Sequence, residues 1–241
     1  MAAKKVCVVV GLGNKGIGDF CAKKWAAQGF VVAMLARRKE VLDALEKEIP
    51  QSRGYQCDAS DPTQLKATIE SIGTNLGPID AVIYNAGAGV FKPFEETSYE
   101  EFETSWKTGP AGLFTLAQAV CPGMAARGGG VLAVTGATAS WRGVPKTGAF
   151  ASAKFGQRAL AQSLAKNYAA AGIHVFHVVI DGIVDQPRTR GWFPADKPVD
   201  EFLSPAGIAD HYWSIAAQDK TCWTFETNVC PASRQFDMLT I

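Results

Sequence analysis

Short runs of apolar, β-prone residues alternate along this chain with longer stretches in which apolar residues recur every three or four positions. The first pattern predicts β-strands and the second predicts amphipathic α-helices. Strands are predicted at 5–10, 30–36, 54–57, 79–84, 131–135, 174–180 and 222–229. Helices are predicted at 19–28, 39–49, 61–76, 99–124, 149–171 and 205–218, with stops at Gly29, Pro50, Gly77 and Gly172.

The regular alternation of predicted strands and helices is typical of right-handed βαβ crossovers. Because the strands are almost continuously apolar, the sheet they form is expected to be covered on both faces. The sequence therefore predicts an α/β fold, a Rossmann-type doubly wound parallel sheet, as a single domain over residues 1–241.

Positions 185–204 depart from this regularity. They contain Gln-Pro-Arg, Gly-Trp-Phe-Pro and Lys-Pro sequences, which interrupt helix and strand alike. The segment follows the sixth predicted strand at its carboxyl end, where open α/β sheets bind ligands, so it is a candidate lid over a substrate. The alternative is a structural excursion that packs Trp192 and Phe193 into the core.

Composition narrows the class of protein. The 241 residues are 47% apolar and 20% charged, as in an ordinary globular protein. Because 24 Lys+Arg are balanced by 23 Asp+Glu, the chain lacks the excess of positive charge that is typical of nucleic-acid-binding proteins. The longest apolar runs, such as 6–10 and 178–180, are far shorter than the about 20 residues that span a bilayer, and the N-terminus has no signal-peptide pattern. We expect a cytoplasmic protein that binds neither nucleic acid nor membrane.

The cysteines and histidines give no metal-binding pattern. The six cysteines are scattered without a C-x-x-C pair, so a metal site is not expected, and they are interpreted as buried apolar residues in a reducing compartment. His174, His177 and His211 form no ligand cluster. His177 lies on an apolar strand and is interpreted as a core histidine with one backbone partner.

The first predicted strand runs directly into Gly11, Gly13 and Gly16, which satisfy the pattern G-x-G-x-x-G. In nucleotide-binding turns, these glycines allow a tight turn, close approach of backbone to a pyrophosphate, and close helix–strand packing. The helix that begins near Gly16 would direct its unpaired amides toward a phosphate. Glycine-rich turns also have purely structural roles, so this motif alone leaves both interpretations open.

The end of the second predicted strand indicates a preference for NADP(H) over NAD(H). An acidic residue there would accept a hydrogen bond from the ribose 2′-hydroxyl, whereas Ala36 leaves space and Arg37 can bind a 2′-phosphate. Lys15, inside the glycine loop, would supply a second positive charge. The alternative for Arg37 and Arg38 is a solvated helix N-terminus, where the dipole mildly disfavours cations.

Several motifs in order resemble the short-chain dehydrogenase/reductase family along nearly the whole chain. They are Gly16-Ile17-Gly18 in the loop, Cys57-Asp58 after the third strand, Tyr84-Asn85-Ala86-Gly87 after the fourth, and Lys154 in the long helix after the fifth. By this resemblance, Asp58 would meet the adenine, and Asn85 with Gly87 would shape the wall by the adenosine ribose. Lys154 would hold the nicotinamide ribose, beside Gly182 and Val184, although Asp181 replaces the proline that the family has there. The cofactor-binding set is then Gly11, Gly13, Asn14, Lys15, Gly16, Ile17, Gly18, Arg37, Arg38, Asp58, Asn85, Ala86, Gly87, Lys154, Gly182 and Val184.

The chain departs from the family at the residues that handle protons. Phe150 occupies the position of the family's catalytic tyrosine, Ala137 that of its serine, and Gly109 that of its helix asparagine. The segments around these positions resemble a divergent subgroup that also lacks the tyrosine. Loss of a positioned acid costs a factor of about 100 to 10,000 in rate, so another group must act. The candidates are Lys154, as a proton donor, and Thr138 or Ser140, either of which would orient a carbonyl oxygen.

These observations give one leading hypothesis and two alternatives. The leading one is an NADP-dependent oxidoreductase that acts on an unknown carbonyl or alcohol through a non-standard proton donor. The alternatives are a catalytically inactive NADP-binding module with an interaction or regulatory role, and non-redox chemistry such as isomerisation. The resemblance also implies a homodimer or homotetramer that pairs helices 99–124 and 149–171.

Overall fold

Seven parallel strands form one sheet in the computed structural model, which describes residues 4–234. The strand order is β3-β2-β1-β4-β5-β6-β7. The strands are β1 (Val6–Val10), β2 (Val31–Ala36), β3 (Ser52–Gln56), β4 (Ile79–Tyr84), β5 (Gly130–Thr135), β6 (Ile173–Ile180) and β7 (Glu226–Val229). The predicted doubly wound parallel sheet is confirmed.

Residues 4–234 form eight α-helices, six of which cover the two faces of the sheet. They are α1 (Ile17–Ala27), α2 (Lys39–Glu48), α3 (Pro62–Leu76), α4 (Tyr99–Trp106), α5 (Gly112–Ala126), α6 (Gly148–Tyr168), α7 (Pro187–Arg190) and α8 (Pro205–Ala216). Alternate residues of β1 enter opposite cores: Val8 packs with α3, α5 and α6, whereas Val9 packs with α1, α2 and α8. This two-sided burial explains why β1 is apolar at every position and the other central strands are apolar at most positions.

The carboxyl ends of the central strands meet along one edge. Gly11 follows β1, Asn85 follows β4, Gly136 follows β5 and Asp181 follows β6. From β1 the chain adds β2 and β3 on one side, and then returns to add β4 to β7 on the other side. The direction of strand addition therefore reverses between β1 and β4, which are neighbours in the sheet. In doubly wound sheets such a reversal opens a crevice for a ligand.

The prediction of one helix over 99–124 is wrong. The structure has α4, then a π-helical turn at Lys107–Ala111, then α5. Pro110 has no amide hydrogen to donate and its ring crowds the preceding turn, which opposes regular α-helix there. The sequence pattern missed the interruption because the apolar period continues through it. The predicted strand 222–229 is also shorter than expected, since pairing begins at Glu226.

The 185–204 segment is tied at its two ends. Val184 forms a β-bridge with Leu203, and Asp185 N donates to Leu203 O at 2.8 Å. Inside the segment, Arg190 Nε donates to Asp185 Oδ1 at 2.6 Å. Phe193 packs edge-on against Phe202, while Trp192 is 53% exposed, so Trp192 does not enter the core as the structural alternative expected.

Four of the six cysteines are buried as expected: Cys7, Cys21, Cys57 and Cys121. Burial raises the pKa of the Cys121 thiol to about 11. Cys222 is exposed and Cys230 is half-buried, which corrects the expectation for those two positions. None of the helices within residues 4–234 combines the length and the hydrophobicity of a membrane-spanning segment.

Candidate functional site

The loop after β1 is packed so closely that its glycines are required. Gly11 has φ of +90°, and a Cβ atom there would lie 2.7 Å from the backbone nitrogen of Ala86. A Cβ atom at Gly18 would collide with the carbonyl oxygen of Gly11. Gly11 and Gly18 therefore allow the loop to pack against its neighbours.

A buried carboxylate holds this loop in place. Asp19, only 3% exposed, accepts hydrogen bonds from the amides of Gly13 at 2.8 Å and Lys15 at 2.7 Å. Asn85 Nδ2 donates to Gly11 O at 2.6 Å from the neighbouring strand end. The sequence analysis did not single out Asp19, although its position in the first turn of α1 beside the glycines was a usable signal.

A cleft of about 810 Å³ lies over this loop, and we call it the glycine-loop cleft. It extends from the ends of β1 and β2 to those of β3 and β4. Most of the predicted cofactor-binding residues line it: Gly11, Gly13, Asn14, Gly16, Ile17, Gly18, Arg37, Arg38, Asp58, Asn85, Ala86, Gly87 and Val184. The structure thus brings together thirteen residues that are far apart in the sequence.

Three arginines make one side of the glycine-loop cleft basic. Arg37 and Arg38 line it as expected, and a Cβ atom at Gly13 would lie 3.1 Å from Arg38 Nη2. Arg188, which the sequence analysis missed, joins them from α7. Lys15 does not line this cleft, contrary to expectation. It borders a separate pocket beside Asp185, while its backbone is left-handed, with φ of 63°.

A second cavity, of about 540 Å³, lies at the ends of β5 and β6, and we call it the Phe150 cavity. The predicted residues Lys154, Thr138, Phe150, Ala137 and Gly182 line it. Gly109 does not, because it lies in the buried π-helical turn, where its Cβ position faces Ala153 and Gln157 of α6. The predicted catalytic pair therefore shares one cavity, and the position of the helix asparagine lies outside it.

Lys154 is 6% exposed, so its side chain is largely removed from water. Its Nζ donates to Thr135 O at 2.7 Å and lies 5.9 Å from the centroid of the Phe150 ring. Burial lowers the pKa of Lys154 to about 8. Both protonation states are thus accessible near neutral pH.

Thr138 and Asp181 form a hydrogen-bonded pair in the same cavity. Thr138 Oγ1 donates to Asp181 Oδ1 at 2.6 Å, and Asp181 is 7% exposed. Both side chains belong to residues that line the cavity. The sequence analysis noted Asp181 only as a departure from a proline.

Aromatic rings form the opposite wall of the Phe150 cavity. The rings of Phe91 and Phe150 are 5.1 Å apart, and those of Phe91 and Trp192 are 6.5 Å apart. Phe91 and Trp192 are each about half exposed. Trp192 belongs to the 185–204 segment, so this segment borders the cavity, as a lid would. Phe91 was not indicated by any sequence motif.

The two cavities adjoin. Ile17, Asn85, Gly87, Val184 and Gln186 line both of them. The helix α7 also serves both, since Arg188 lines the glycine-loop cleft and Thr189 lines the Phe150 cavity. A ligand that extends from one into the other would pass these shared residues.

Behind the Phe150 cavity, a buried polar network joins β6 to β7. His177 Nδ1 lies 3.0 Å from Glu226 Oε2, and Arg158 Nε donates to that same oxygen at 2.6 Å. His177 Nε2 lies 3.5 Å from Ser140 Oγ. His177 is fully buried, as expected, but its partners are side chains and not backbone. Burial lowers the pKa of His177 to about 4.

Comparison with known proteins identifies similar chains. A family model described as short chain dehydrogenase matches residues 5–196. A 3alpha-hydroxysteroid dehydrogenase from Mediterraneibacter gnavus is 31% identical over 189 residues, which are 76% of this chain and 75% of that protein.

Two solved structures are similar over almost their whole length. A short-chain dehydrogenase from Rhodopseudomonas palustris is 35% identical, with a TM-score of 0.80 over 94% of this chain and 98% of that one. An alcohol dehydrogenase from Thermococcus sibiricus, complexed with 5-hydroxy-NADP, is 25% identical, with a TM-score of 0.84 over 95% and 97%.

Proposed function

This chain belongs to the short chain dehydrogenase family, and from that premise we propose that it is an NADP(H)-dependent oxidoreductase acting on a carbonyl or alcohol group. The observation that carries the proposal is the adjoining pair of cavities. One is basic and built over a glycine loop, and the other contains a buried lysine of lowered pKa. Nicotinamide cofactors are the ones that this family binds.

The residues present fit such a cofactor. The glycine-loop cleft lies at the reversal of strand order, where doubly wound sheets bind dinucleotides. Its arginines supply planar, permanently charged donors for phosphate oxygens. The cleft opens into the Phe150 cavity, which would leave the reactive ring beside Lys154.

We assign the preference for NADP(H) to Arg37 and Arg38. Ala36 ends β2 without the acidic side chain that would accept from a ribose 2′-hydroxyl, and the two arginines that follow line the cleft. The similar alcohol dehydrogenase from Thermococcus sibiricus is complexed with 5-hydroxy-NADP, which agrees with this assignment.

A bound nicotinamide supplies or accepts a hydride. The chain's own residues bind and orient the substrate and handle its proton. Phe150 has no hydroxyl, so Lys154 and Thr138 are the predicted groups that would contact a substrate oxygen. Lys154 would also hold the nicotinamide ribose. The 185–204 segment would cover the substrate, with Trp192 against its apolar part.

The first test is a parallel titration with NADPH and NADH, followed by energy transfer from tryptophan to the reduced nicotinamide. We expect NADPH to bind more tightly, and Arg37→Ala to weaken its binding by about ten- to hundredfold, since a charged hydrogen bond contributes about 1.5–3 kcal/mol. The matched control is Arg53→Ala on β3, which lies outside the cleft and should leave the affinity unchanged.

Turnover is then measured with NADPH and a panel of carbonyl compounds, and Lys154→Ala should abolish it. Tight NADPH binding without any turnover would support the non-catalytic binding module in place of the enzyme. A folded protein that binds neither cofactor would overturn the proposal as a whole.

A further inference from the structure

We propose that Thr138 and Asp181 form the proton relay that replaces the missing phenol, with Thr138 contacting the substrate oxygen and Asp181 exchanging the proton behind it. This inference rests on the proposed function, because it concerns the same reaction. Its basis is the geometry of two residues that the family pattern does not pair.

The fold itself brings the two residues together. β5 and β6 are neighbouring parallel strands, and Thr135 stands opposite Val178 in their register. Three residues further along the chain from each of these, beyond the ends of the strands, are Thr138, in a 3-10 turn, and Asp181, directly after β6. The backbone nitrogen of Asp181 donates to Val229 O at 2.9 Å, so the edge strand β7 fixes the position from which the carboxylate reaches Thr138.

The direction of the hydrogen bond is set by its chemistry. At a distance of 2.6 Å, the Thr138 hydroxyl donates to a carboxylate that is 7% exposed, so its own oxygen lone pairs are left to accept another proton. A substrate hydroxyl in the cavity could therefore donate to Thr138 Oγ1.

The other threonines that line this cavity have different partners. Thr147 Oγ1 donates to Val144 O at 2.7 Å, and Thr189 Oγ1 donates to backbone carbonyls. Thr135 Oγ1 accepts from the buried Tyr212 hydroxyl at 2.8 Å. Among the lining residues that the structure describes, Thr138 is thus the threonine whose hydroxyl donates to a group that can take up a proton.

In the oxidation of an alcohol, the relay moves one proton in two transfers. The substrate O–H bond breaks and its proton bonds to Thr138 Oγ1, while the Thr138 proton moves to Asp181 Oδ1. The hydrogen on the carbinol carbon leaves with its electron pair for the oxidised nicotinamide, which is the oxidant. In carbonyl reduction each transfer is reversed, and the protonated Asp181 is the source of the proton.

Two cations face the same cavity. Lys154 reaches it from α6, and Arg142 from the segment between β5 and α6. They are the other charged groups among the described lining residues. Lys154 remains in its proposed role at the ribose and does not need to supply the proton.

Kinetics with the best substrate of the carbonyl panel tests the relay. We expect Asp181→Asn and Thr138→Val to lower kcat by about 100-fold or more, the usual contribution of a positioned proton-transfer group, with KM and NADPH affinity little changed. Thr138→Ser keeps the hydroxyl and should restore most of the rate. Asp43→Asn, an exposed carboxylate on α2, is the matched control.

A second measurement does not depend on activity. In the cofactor-free protein, the Thr138 hydroxyl proton should give a slowly exchanging, downfield NMR resonance because it is held by a carboxylate. The resonance should be lost in Thr138→Val and shifted in Asp181→Asn. A wild-type protein without this resonance would overturn the pairing.

The outcomes separate this inference from the proposed function. If the wild type turns over substrate and both variants keep its rate, the relay is wrong and the enzyme assignment stands. If the variants lose cofactor affinity by the same factor as rate, their role is structural and the relay is again wrong. A wild type that binds NADPH without turnover overturns both.

Discussion

Asp19 is the residue on which the geometry of the glycine loop depends most directly. Its carboxylate, buried in the first turn of α1, accepts from two loop amides that would otherwise lack a partner in the protein. Lys15, whose amide is one of the two, also has a left-handed backbone that costs a non-glycine residue about 1–2 kcal/mol. The carboxylate therefore offsets an unfavourable local conformation and prepares the loop before any ligand arrives.

Substitution of Asp19 should weaken both the fold and the binding of cofactor. We expect Asp19→Ala to lower the free energy of unfolding by about 3–6 kcal/mol, because two hydrogen bonds to a charged acceptor are lost. NADPH affinity should fall with it, as the loop loses its preset shape. Urea unfolding and energy-transfer titration measure the two effects. Asp19→Asn, which keeps one acceptor oxygen, should be milder; unchanged NADPH affinity in both variants would contradict this role.

Residues of the site differ in how far the sequence could predict them. The glycines and Asn85 were predicted because each belongs to a motif of fixed spacing beside a strand. Asp181 could be seen as an unusual residue, but its partner could be found only from the register of β5 and β6. Phe91 lies in an irregular loop, and its approach to Phe150 depends on tertiary packing that carries no periodic signal.

At the scale of elements, the strand β7 is held to the sheet by more than its backbone hydrogen bonds. Glu226, its first residue, binds Arg158 of α6 and His177 of β6. The pattern predicted a longer strand here, and for the same reason it predicted an unbroken helix over 99–124. The spacing of apolar residues indicates which positions are buried. It does not indicate where a strand ends or where the π-helical turn at Pro110 interrupts a helix, because both depend on backbone hydrogen bonds.

Acid should loosen β7 through His177. Because burial lowers the folded pKa of His177 to about 4, below its unfolded value, the stability that its neutral form contributes is present above about pH 6.5 and is lost as the pH falls toward 4. The loss attributable to this group is about 3 kcal/mol at pH 4. Burial raises the pKa of Glu226, but the hydrogen bonds and charges of Arg158 and His177 together outweigh burial, so this pKa is also lowered and acts in the same direction.

Urea unfolding at pH 7.5, 6 and 5 measures this dependence. His177→Gln cannot take up the proton, so its free energy of unfolding should change less with pH than that of the wild type. Equal slopes for the two proteins would show that His177 does not determine the acid sensitivity.

At the scale of the whole molecule, exposed aromatic residues gather on the helices that the resemblance pairs between subunits. Phe102 and Trp106 on α4, Phe114 on α5 and Phe155 on α6 are each between 39% and 50% exposed. Phe102 and Trp106 lie 6.5 Å apart, and a Cβ atom at Gly156 would contact the Trp106 ring, so α4 and α6 form one surface. Apolar patches of this kind mark protein interfaces.

We therefore expect a homodimer or homotetramer in solution, measured by light scattering coupled to gel filtration. Phe155→Glu should shift the mass toward that of the monomer, because a charge would be buried in the interface without a partner. Val199→Glu changes an apolar residue that is 69% exposed in the 185–204 segment, which belongs to none of these helices, and is the control. A wild type of monomer mass would contradict the expectation.

The helix α7 gives the molecule a property that neither cavity has alone. Arg188, on the wall of the glycine-loop cleft, lies over the ring of Trp192, which lines the Phe150 cavity, at 5.5 Å. A ligand in the glycine-loop cleft that orders α7 would also hold Trp192 in place. A second ligand in the Phe150 cavity would then lose less entropy when it binds. Reciprocity then requires that each ligand strengthen the other by the same factor. Steady-state kinetics would register this as synergy, with the KM of each ligand falling as the concentration of the other rises.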